Sequence, residues 1–282
     1  MLVQMTPTVA QALAQCGLVP IDAHALLTHV LAKNRAWLAA HRKDQLTLPQ
    51  AETFFALAKR RRAGEPVAYL IGTREFWGLD LAVSEAVLIP RPETETLVEF
   101  ALSILPQDCA TRVLDLGTGS GAIALALAHE RPQAQVLGTD YSAAALEVAQ
   151  GNAQRLGLTN VSFLVSDWYA AVPAGSWDLI ASNPPYVAPG DPHLLEGDLP
   201  FEPKLAQTAN GAGLAALRIV VTGAGSRLLA GGWLIVEHGF DQSVAVQALF
   251  HDAGFEKITS RRDLAGIPRI VAGRSGAPAN SR

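Results

Sequence analysis

The sequence predicts an α/β protein: a seven-stranded, mostly parallel, doubly wound sheet, preceded by a small N-terminal helical bundle and joined to it by a β-hairpin. Two observations carry this expectation. From residue 112 onward, short apolar runs alternate with longer segments of helical period, the runs falling near 112–116, 135–140, 160–165, 177–182, 231–237, 255–261 and 268–273. Such alternation builds parallel strands joined by crossover helices. Before residue 72, apolar residues recur only at helical spacing. The expected boundaries are 1–72 for a helical domain, 73–92 for a hairpin and linker, 93–275 for the α/β domain and 276–282 for a flexible tail.

Taken in order, Thr6-Pro7 offers a cap followed by a first-turn proline, leading into Val9-Ala-Gln-Ala-Leu-Ala. Ile21 to Ala32 carries a helical stripe at Ile21, Ala25, Leu26 and Val30, and Pro49 opens a third helix through Phe54, Phe55, Leu57 and Ala58 that ends before Gly64. Lys59-Arg60-Arg61-Arg62 reads as the solvated C-terminal turn of that helix, where cations suit the helix dipole. Such a bundle is too slight to hold a catalytic pocket by itself. Residues 75–83 alternate around a Gly78 turn, as a hairpin does. Pro90 and Pro92 then bracket Arg91 in a stiff loop before a helix from Glu93 to Leu105.

Composition narrows the partners. A chain of 282 residues with 49% hydrophobic and 17% charged residues can bury a full core. The net charge of −4 argues against a large phosphate-binding face, although residues 1–75 carry +4 and the remainder −8. Two cysteines, Cys16 and Cys109, form neither a metal spacing nor a disulfide framework, and Cys16 reads as packed on a helix. His238 reads as a structural hydrogen-bonding histidine. The N-terminus has no basic, hydrophobic leader, and no apolar run reaches the roughly 20 residues that span a bilayer. The expectation is a cytoplasmic protein without a bound metal or a membrane anchor.

Chemistry concentrates in three places. The run Val113-Leu-Asp115-Leu-Gly117-Thr118-Gly119-Ser120-Gly121 leads an apolar strand through alternate glycines into an Ala/Leu helix, where the backbone can turn tightly and a ligand can approach it. Asp140 ends the next apolar run at the spacing where a carboxylate holds ribose hydroxyls. Because Gly117, Gly119 and Ala122 also satisfy G-x-G-x-x-G/A, a nicotinamide cofactor stays open on the glycines alone. The third place is Asn183-Pro184-Pro185-Tyr186, after the strand Trp177–Ser182. The prolines stop the strand and hold an Asn oxygen and the Pro184 carbonyl at its end, two acceptors suited to a planar NH2, with Tyr186 to cover its face.

Together, Asp115-x-Gly-x-Gly-x-Gly, Asp140, Asp167-Trp168 and Asn183-Pro-Pro-Tyr resemble the class I S-adenosylmethionine-dependent methyltransferases that modify planar amide or exocyclic nitrogen. Gly64-Glu-Pro-Val-Ala-Tyr-Leu, Arg74-Glu-Phe-Trp, Leu88-Ile-Pro-Arg-Pro-Glu-Thr-Glu and Gly197-Asp-Leu-Pro-Phe-Glu-Pro narrow the likeness to peptide chain release factor N5-glutamine methyltransferases. The resemblance implies methyl transfer from S-adenosylmethionine to the glutamine of a Gly-Gly-Gln tripeptide, with S-adenosylhomocysteine as product, inside a two-domain monomer in which residues 1–72 dock the substrate and residues 93–275 bind the cofactor and carry catalysis. It implies a cofactor site of Asp115, Gly117, Thr118, Gly119, Ser120, Gly121, Asp140, Asp167, Trp168 and Asn183. The catalytic set it implies is Asn183, Pro184 and Tyr186, and substrate contacts fall on these with Pro185, Arg91 and Glu202. A ribosomal-protein glutamine methyltransferase, a nucleic-acid amino-methyltransferase and a non-catalytic cofactor-binding partner are the alternatives. The charge balance requires no direct nucleic-acid contact.

Overall fold

The structure is a computed structural model that describes residues 6–173 and 177–276. Residues 1–5, and all of the expected tail 276–282 except Gly276, lie outside that description. The chain divides into two compact units, one of Met1–Thr73 with Leu195–Phe201 and one of Arg74–Leu194 with Glu202–Arg282. Leu195–Phe201 thus packs with the first unit, across a long stretch of sequence that the linear boundaries do not bridge.

The first unit is helical: α1 (Val9–Gln15), α2 (Pro20–Leu31), α3 (Arg35–Ala40), α4 (Leu48–Arg62) and α5 (Val67–Ile71). The short α3 and α5 have too few turns to show a period. The cap of α1 is Thr8 rather than Thr6, because Gln11 at the third helical position returns a bond to the Thr8 amide and closes a capping box. Thr47 and Gln50 repeat the device at α4. The stripe on α2 also differs from expectation. Ile21 is 64% exposed in the first turn, and Ala23, Leu26 and Leu27 face the core with Ala12, Leu38, Phe54 and Ala58. Cys16 is buried in the same cluster.

The basic run at the end of α4 is not simply solvated. Arg61 pairs with Asp22 at 2.7 Å and Asp198 at 3.1 Å, and it donates to the carbonyl of Glu65 at 3.1 Å. Arg62 donates to the Cys16 carbonyl. Two of the four cations therefore fasten helix ends and the Leu195–Phe201 segment within this unit.

The second unit begins with the hairpin β1 (Thr73–Phe76) and β2 (Leu79–Ala82). Its two turn residues, Trp77 and Gly78, both take positive φ, 54° and 71°, the handedness that matches strand twist. A single 3₁₀ turn at Pro92–Thr94 then runs into α6 (Glu95–Ile104). The remaining elements are β3 (Arg112–Leu116), α7 (Ala122–Glu130), β4 (Gln135–Asp140), α8 (Ala143–Leu156), β5 (Val161–Val165), β6 (Trp177–Ser182), α9 (Lys204–Gln207), α10 (Ala215–Ala224), β7 (Leu228–Glu237), α11 (Ser243–Asp252), β8 (Phe255–Arg262) and β9 (Pro268–Ser275).

These strands form one seven-stranded sheet in the order β5-β4-β3-β6-β7-β9-β8. β3, β4, β5, β6 and β7 pair in parallel, and β9 runs antiparallel to both β7 and β8. One face carries Leu97, Leu125, Leu127 and Leu179, the other Leu114, Ile180, Leu217 and Phe250. The sheet is thus covered on both sides, as parallel strands require. α7 is apolar on every side and buried from Ala122 to Ala128, which fits a helix enclosed by its neighbours. The register positions the chemistry. Leu116 at the end of β3 pairs with Thr139 on one side and with Ser182 on the other. Gly117, Asp140 and Asn183 therefore leave the sheet at one level, at the point where chain order reverses and ligands bind.

Candidate active site

A cavity of about 400 Å³ opens at that edge, within the usual range for a small-ligand site. Its floor is the glycine loop. Gly117 and Thr118 both donate backbone N–H bonds to the Thr139 carbonyl at 2.8 Å, which bends the chain sharply off β3. Gly117 and Gly119 have φ of +72° and +56°, and a Cβ built on either meets nothing within 4 Å. Open space above a left-handed backbone that glycine adopts freely is what a closely approaching ligand needs. Gly121 is different: at φ +87°, its absent Cβ would press on Leu125 at 2.9 Å and Ala149 at 3.2 Å. It serves loop-to-helix packing and does not line the cavity.

Asp140 reaches across this floor. Its Oδ2 accepts from the Gly119 amide and its Oδ1 from the Ser142 amide, both at 2.9 Å, while both residues line the cavity. The carboxylate is thus fixed with lone pairs to spare. Beside it, Ser166 holds the next turn: its hydroxyl donates to the Trp168 carbonyl at 2.8 Å and accepts from the Ala171 amide at 3.0 Å. Trp168 is set at φ 49°, and Asp167 and Trp168 line the cavity with Thr118 and Ser120.

Asp115 lies beneath the loop, fully buried and outside the cavity wall. Its Oδ2 accepts from the Thr118 hydroxyl at 2.6 Å and the Ala124 amide at 3.2 Å, tying the loop to the start of α7. Its Oδ1 has no hydrogen-bond partner. Burial pushes its carboxyl up to about 7, and the charge of Asp140 adds to the rise.

On the opposite wall, Asn183 Nδ2 donates to Thr94 Oγ1 at 3.1 Å, and both residues line the cavity with Pro185 and Arg91. Pro184 is buried and its side chain is not part of the wall. Tyr186 departs from its expected position over the cavity. Its ring packs into the core below the sheet edge, and its hydroxyl donates to Glu237 Oε1 at 3.1 Å. The reason is the chain path after the prolines. Gln242 Nε2 holds the Tyr186 carbonyl at 3.0 Å, and a Cβ on Gly213 would meet that oxygen at 2.0 Å, so the segment is pressed inward. Burial and the Glu237 charge push the Tyr186 phenol well above its ordinary range. Glu202 likewise points away from the cavity. It pairs with Arg91 at 2.6 Å and accepts the Ile89 amide at 3.2 Å, fixing the loop from which Arg91 reaches the wall.

Several participants carry no sequence signal. Tyr141 and Leu205, 70% and 78% exposed, line the rim, each just beyond a motif that does not include it. Asn152 is fully buried in α8 and links β2 to the glycine loop, donating to the Ala82 and Ser120 carbonyls at 3.0 and 2.9 Å. Only an unexplained polar residue inside an apolar helix face could have pointed to it. His238 is fully buried with Nδ1 at 2.7 Å from the Gly239 carbonyl, outside the cavity. Among the described residues, no cluster of three His, Cys, Asp or Glu could hold a metal, and no helix is long and apolar enough to cross a membrane.

Two buried carboxyls give the fold an unusual pH response. Glu237, like Asp115, is pushed up to about 7 by burial, from ordinary values of 4.5 and 3.8. Between those values and 7 the folded chain holds protons that the unfolded chain releases. Stability therefore falls as pH rises across that window, by on the order of 3 kcal/mol for each group. Urea unfolding at pH 5 and pH 7.5 should show this loss, and Glu237→Gln should shrink it. An unchanged slope in the variant would remove Glu237 as a cause.

A sheet of this order with a glycine loop after β3 and an acidic end to β4 has the layout of a doubly wound methyltransferase, and comparison with known proteins assigns the chain to that class. A solved methyltransferase from Pyrococcus furiosus shares the fold, with a TM-score of 0.54 at 18% identity over 71% of this chain and 90% of that one. Residues 94–195 match the methyltransferase small domain and residues 8–72 the PrmC N-terminal domain. A release factor glutamine methyltransferase of Xylella fastidiosa is 54% identical over 254 residues, 90% of this chain and 92% of its own. Another, from Bordetella pertussis, is 55% identical over 262 residues, 93% of this chain and 97% of its own. The chain belongs to the family of release factor glutamine methyltransferases.

Proposed function

We propose that the chain transfers a methyl group from S-adenosylmethionine to the side-chain amide nitrogen of the glutamine in the Gly-Gly-Gln motif of peptide chain release factors. The observation that carries this is the fixed amide of Asn183. With its Nδ2 donating to Thr94 Oγ1, its Oδ1 is the end left for an incoming group. Family membership supports the substrate class.

The cavity fits the cofactor. Gly117 and Gly119 leave their backbone open to the methionine part, Asp140 keeps lone pairs for the ribose hydroxyls, and Asp167 with Trp168 borders the adenine. Asp115 supports the loop from below, its unpartnered Oδ1 turned toward no protein donor. When bound, the cofactor supplies an electrophilic methyl group on a sulfonium, and S-adenosylhomocysteine remains.

An amide nitrogen is a weak nucleophile because its lone pair is delocalised into the carbonyl. Asn183 Oδ1 and the Pro184 carbonyl accept the two amide hydrogens, hold the NH2 in line and concentrate negative potential at nitrogen. Positioning and electrostatics supply the rate without a strong base, and the one N–H proton displaced by methylation leaves to water. Arg91, held by Glu202, shapes the entrance, Pro185 forms its wall, and Tyr186 braces the segment from below. The helical unit supplies the surface that docks the release factor, because one glutamine side chain offers too little contact to be selected among all others. The protein works as a monomer in the cytoplasm, and the chemistry requires no metal and no nucleic acid.

Labelled S-adenosylmethionine offered with release factor, its Gln→Ala version, a short Gly-Gly-Gln peptide or DNA tests this. Label is expected on intact factor, weakly on the peptide, and on neither of the others. Label on DNA, or equal label on the Gln→Ala factor, would contradict the assignment. Equal kcat/KM for the peptide would remove the docking role.

A further inference from the structure

We infer that Thr94 and Glu237 are positioning residues that set which end of the Asn183 amide faces the substrate. The inference rests on the proposed methyl transfer and assigns a part of it to residues outside the Asn-Pro-Pro-Tyr segment.

An Asn amide can sit in either of two flipped orientations of nearly equal shape, with opposite consequences here. With Oδ1 toward the cavity, Asn183 accepts a substrate N–H; with Nδ2 toward the cavity, it donates and repels that N–H. The orientation follows from the partner on the hidden side. That partner is Thr94 Oγ1, 3.1 Å from Nδ2, in a residue only 4% exposed. A hydroxyl has one hydrogen and can serve Asn183 either way, so Thr94 alone does not decide the matter.

Glu237 decides it. It ends β7, is 1% exposed, and stands against Thr94 and Tyr186. Its Oε1 accepts from the Tyr186 hydroxyl at 3.1 Å, and its Oε2 has no partner within hydrogen-bond geometry. An ionised carboxylate only accepts. The Thr94 hydrogen is drawn to the unpartnered Oε2, leaving Thr94 Oγ1 as an acceptor for Nδ2 and Oδ1 for the substrate. The sequence carries both residues, in Arg91-Pro92-Glu93-Thr94-Glu95 and at the end of Trp233–Glu237, but nothing in it brings them together.

Protonation undoes the device, because a neutral Glu237 can donate to Thr94 and release the Asn183 amide. The groups facing Glu237 are Thr94, Tyr186, Arg269 and Glu93, with Arg269 favouring the carboxylate and Glu93 opposing it. Because burial places this carboxyl near 7, kcat should rise with pH through about 7.

The test is steady-state methylation of release factor by wild type, Thr94→Val, Thr94→Ser and Glu237→Gln, with S-adenosylhomocysteine affinity and thermal unfolding measured on each. Thr94→Val should lower kcat at least tenfold with KM for the factor and affinity for S-adenosylhomocysteine within twofold. Thr94→Ser should restore most of the rate. Glu237→Gln should lose rate at pH 8, lose the rise through pH 7, and add little further loss when combined with Thr94→Val. A Thr94→Val protein at wild-type kcat overturns the relay, as do losses that multiply independently in the double variant. Failure of the wild type itself to methylate the factor defeats the proposed function and is distinguishable from either.

Discussion

Asn183→Ala is expected to lower kcat about 100- to 1,000-fold while leaving S-adenosylhomocysteine binding nearly unchanged. One preorganised hydrogen-bonding group at a reacting centre is worth about 2.7–4 kcal/mol. Asn183 lies at the end of β6, a buried strand whose Ser182 hydroxyl is tied to the Leu116 carbonyl at 2.7 Å, so its backbone does not depend on its side chain. The variant should therefore fold and bind cofactor. Asn183→Asp is a sharper form of the same test. It keeps an acceptor of the same shape, yet it cannot donate to Thr94 and sets a second carboxyl near Glu237. It should also be slow, and more so at high pH, where both groups are ionised. Rates near wild type for both variants, measured under single-turnover conditions, would remove the amide clamp.

The second large effect is on cofactor affinity. Asp140→Ala should raise the Kd for S-adenosylhomocysteine about 100-fold, some 3 kcal/mol, the scale of one or two charged hydrogen bonds. Two causes add. The ribose hydroxyls lose their acceptor, and the Gly119 amide, 2.9 Å from Asp140 Oδ2, loses the bond that shapes the glycine loop. Asp140→Asn should cost less, since an amide oxygen can still accept one of these bonds. Calorimetric titration checks this directly. Unchanged affinity in Asp140→Ala would place the ribose elsewhere.

These two residues also show how far the sequence alone reaches. Both announce themselves because each ends an apolar strand, and strands in a parallel sheet carry their chemistry at the carboxyl end. The sheet itself was legible for the same reason: seven apolar runs, separated by helical segments, leave few other arrangements. The short helices α3 and α5 were not legible, since six and five residues hold no period to detect. Cap position failed at α1 because Thr6-Pro7 and Thr8 are both credible starts, and only the Gln11 bond separates them.

Side-chain direction was the harder matter. Tyr186 and Glu202 sit in motifs that suggest cavity residues, but both turn inward, one held by the Gly213–Gln242 neighbourhood and one by Arg91 and Ile89. Their partners lie up to 113 residues away in sequence, which no local pattern encodes. Asn152 and Glu237 were missed for the same reason. Each is a polar residue within an ordinary element, and its meaning comes from what the fold sets against it.

The most direct measurement is a crystal structure of the protein with S-adenosylhomocysteine and a Gly-Gly-Gln peptide. The amide clamp requires the glutamine side-chain nitrogen to lie about 3 Å from both Asn183 Oδ1 and the Pro184 carbonyl, a hydrogen-bond distance, with Asn183 Nδ2 still on Thr94. A glutamine amide bound elsewhere in the cavity, or one facing Asn183 through its own carbonyl oxygen, would contradict it.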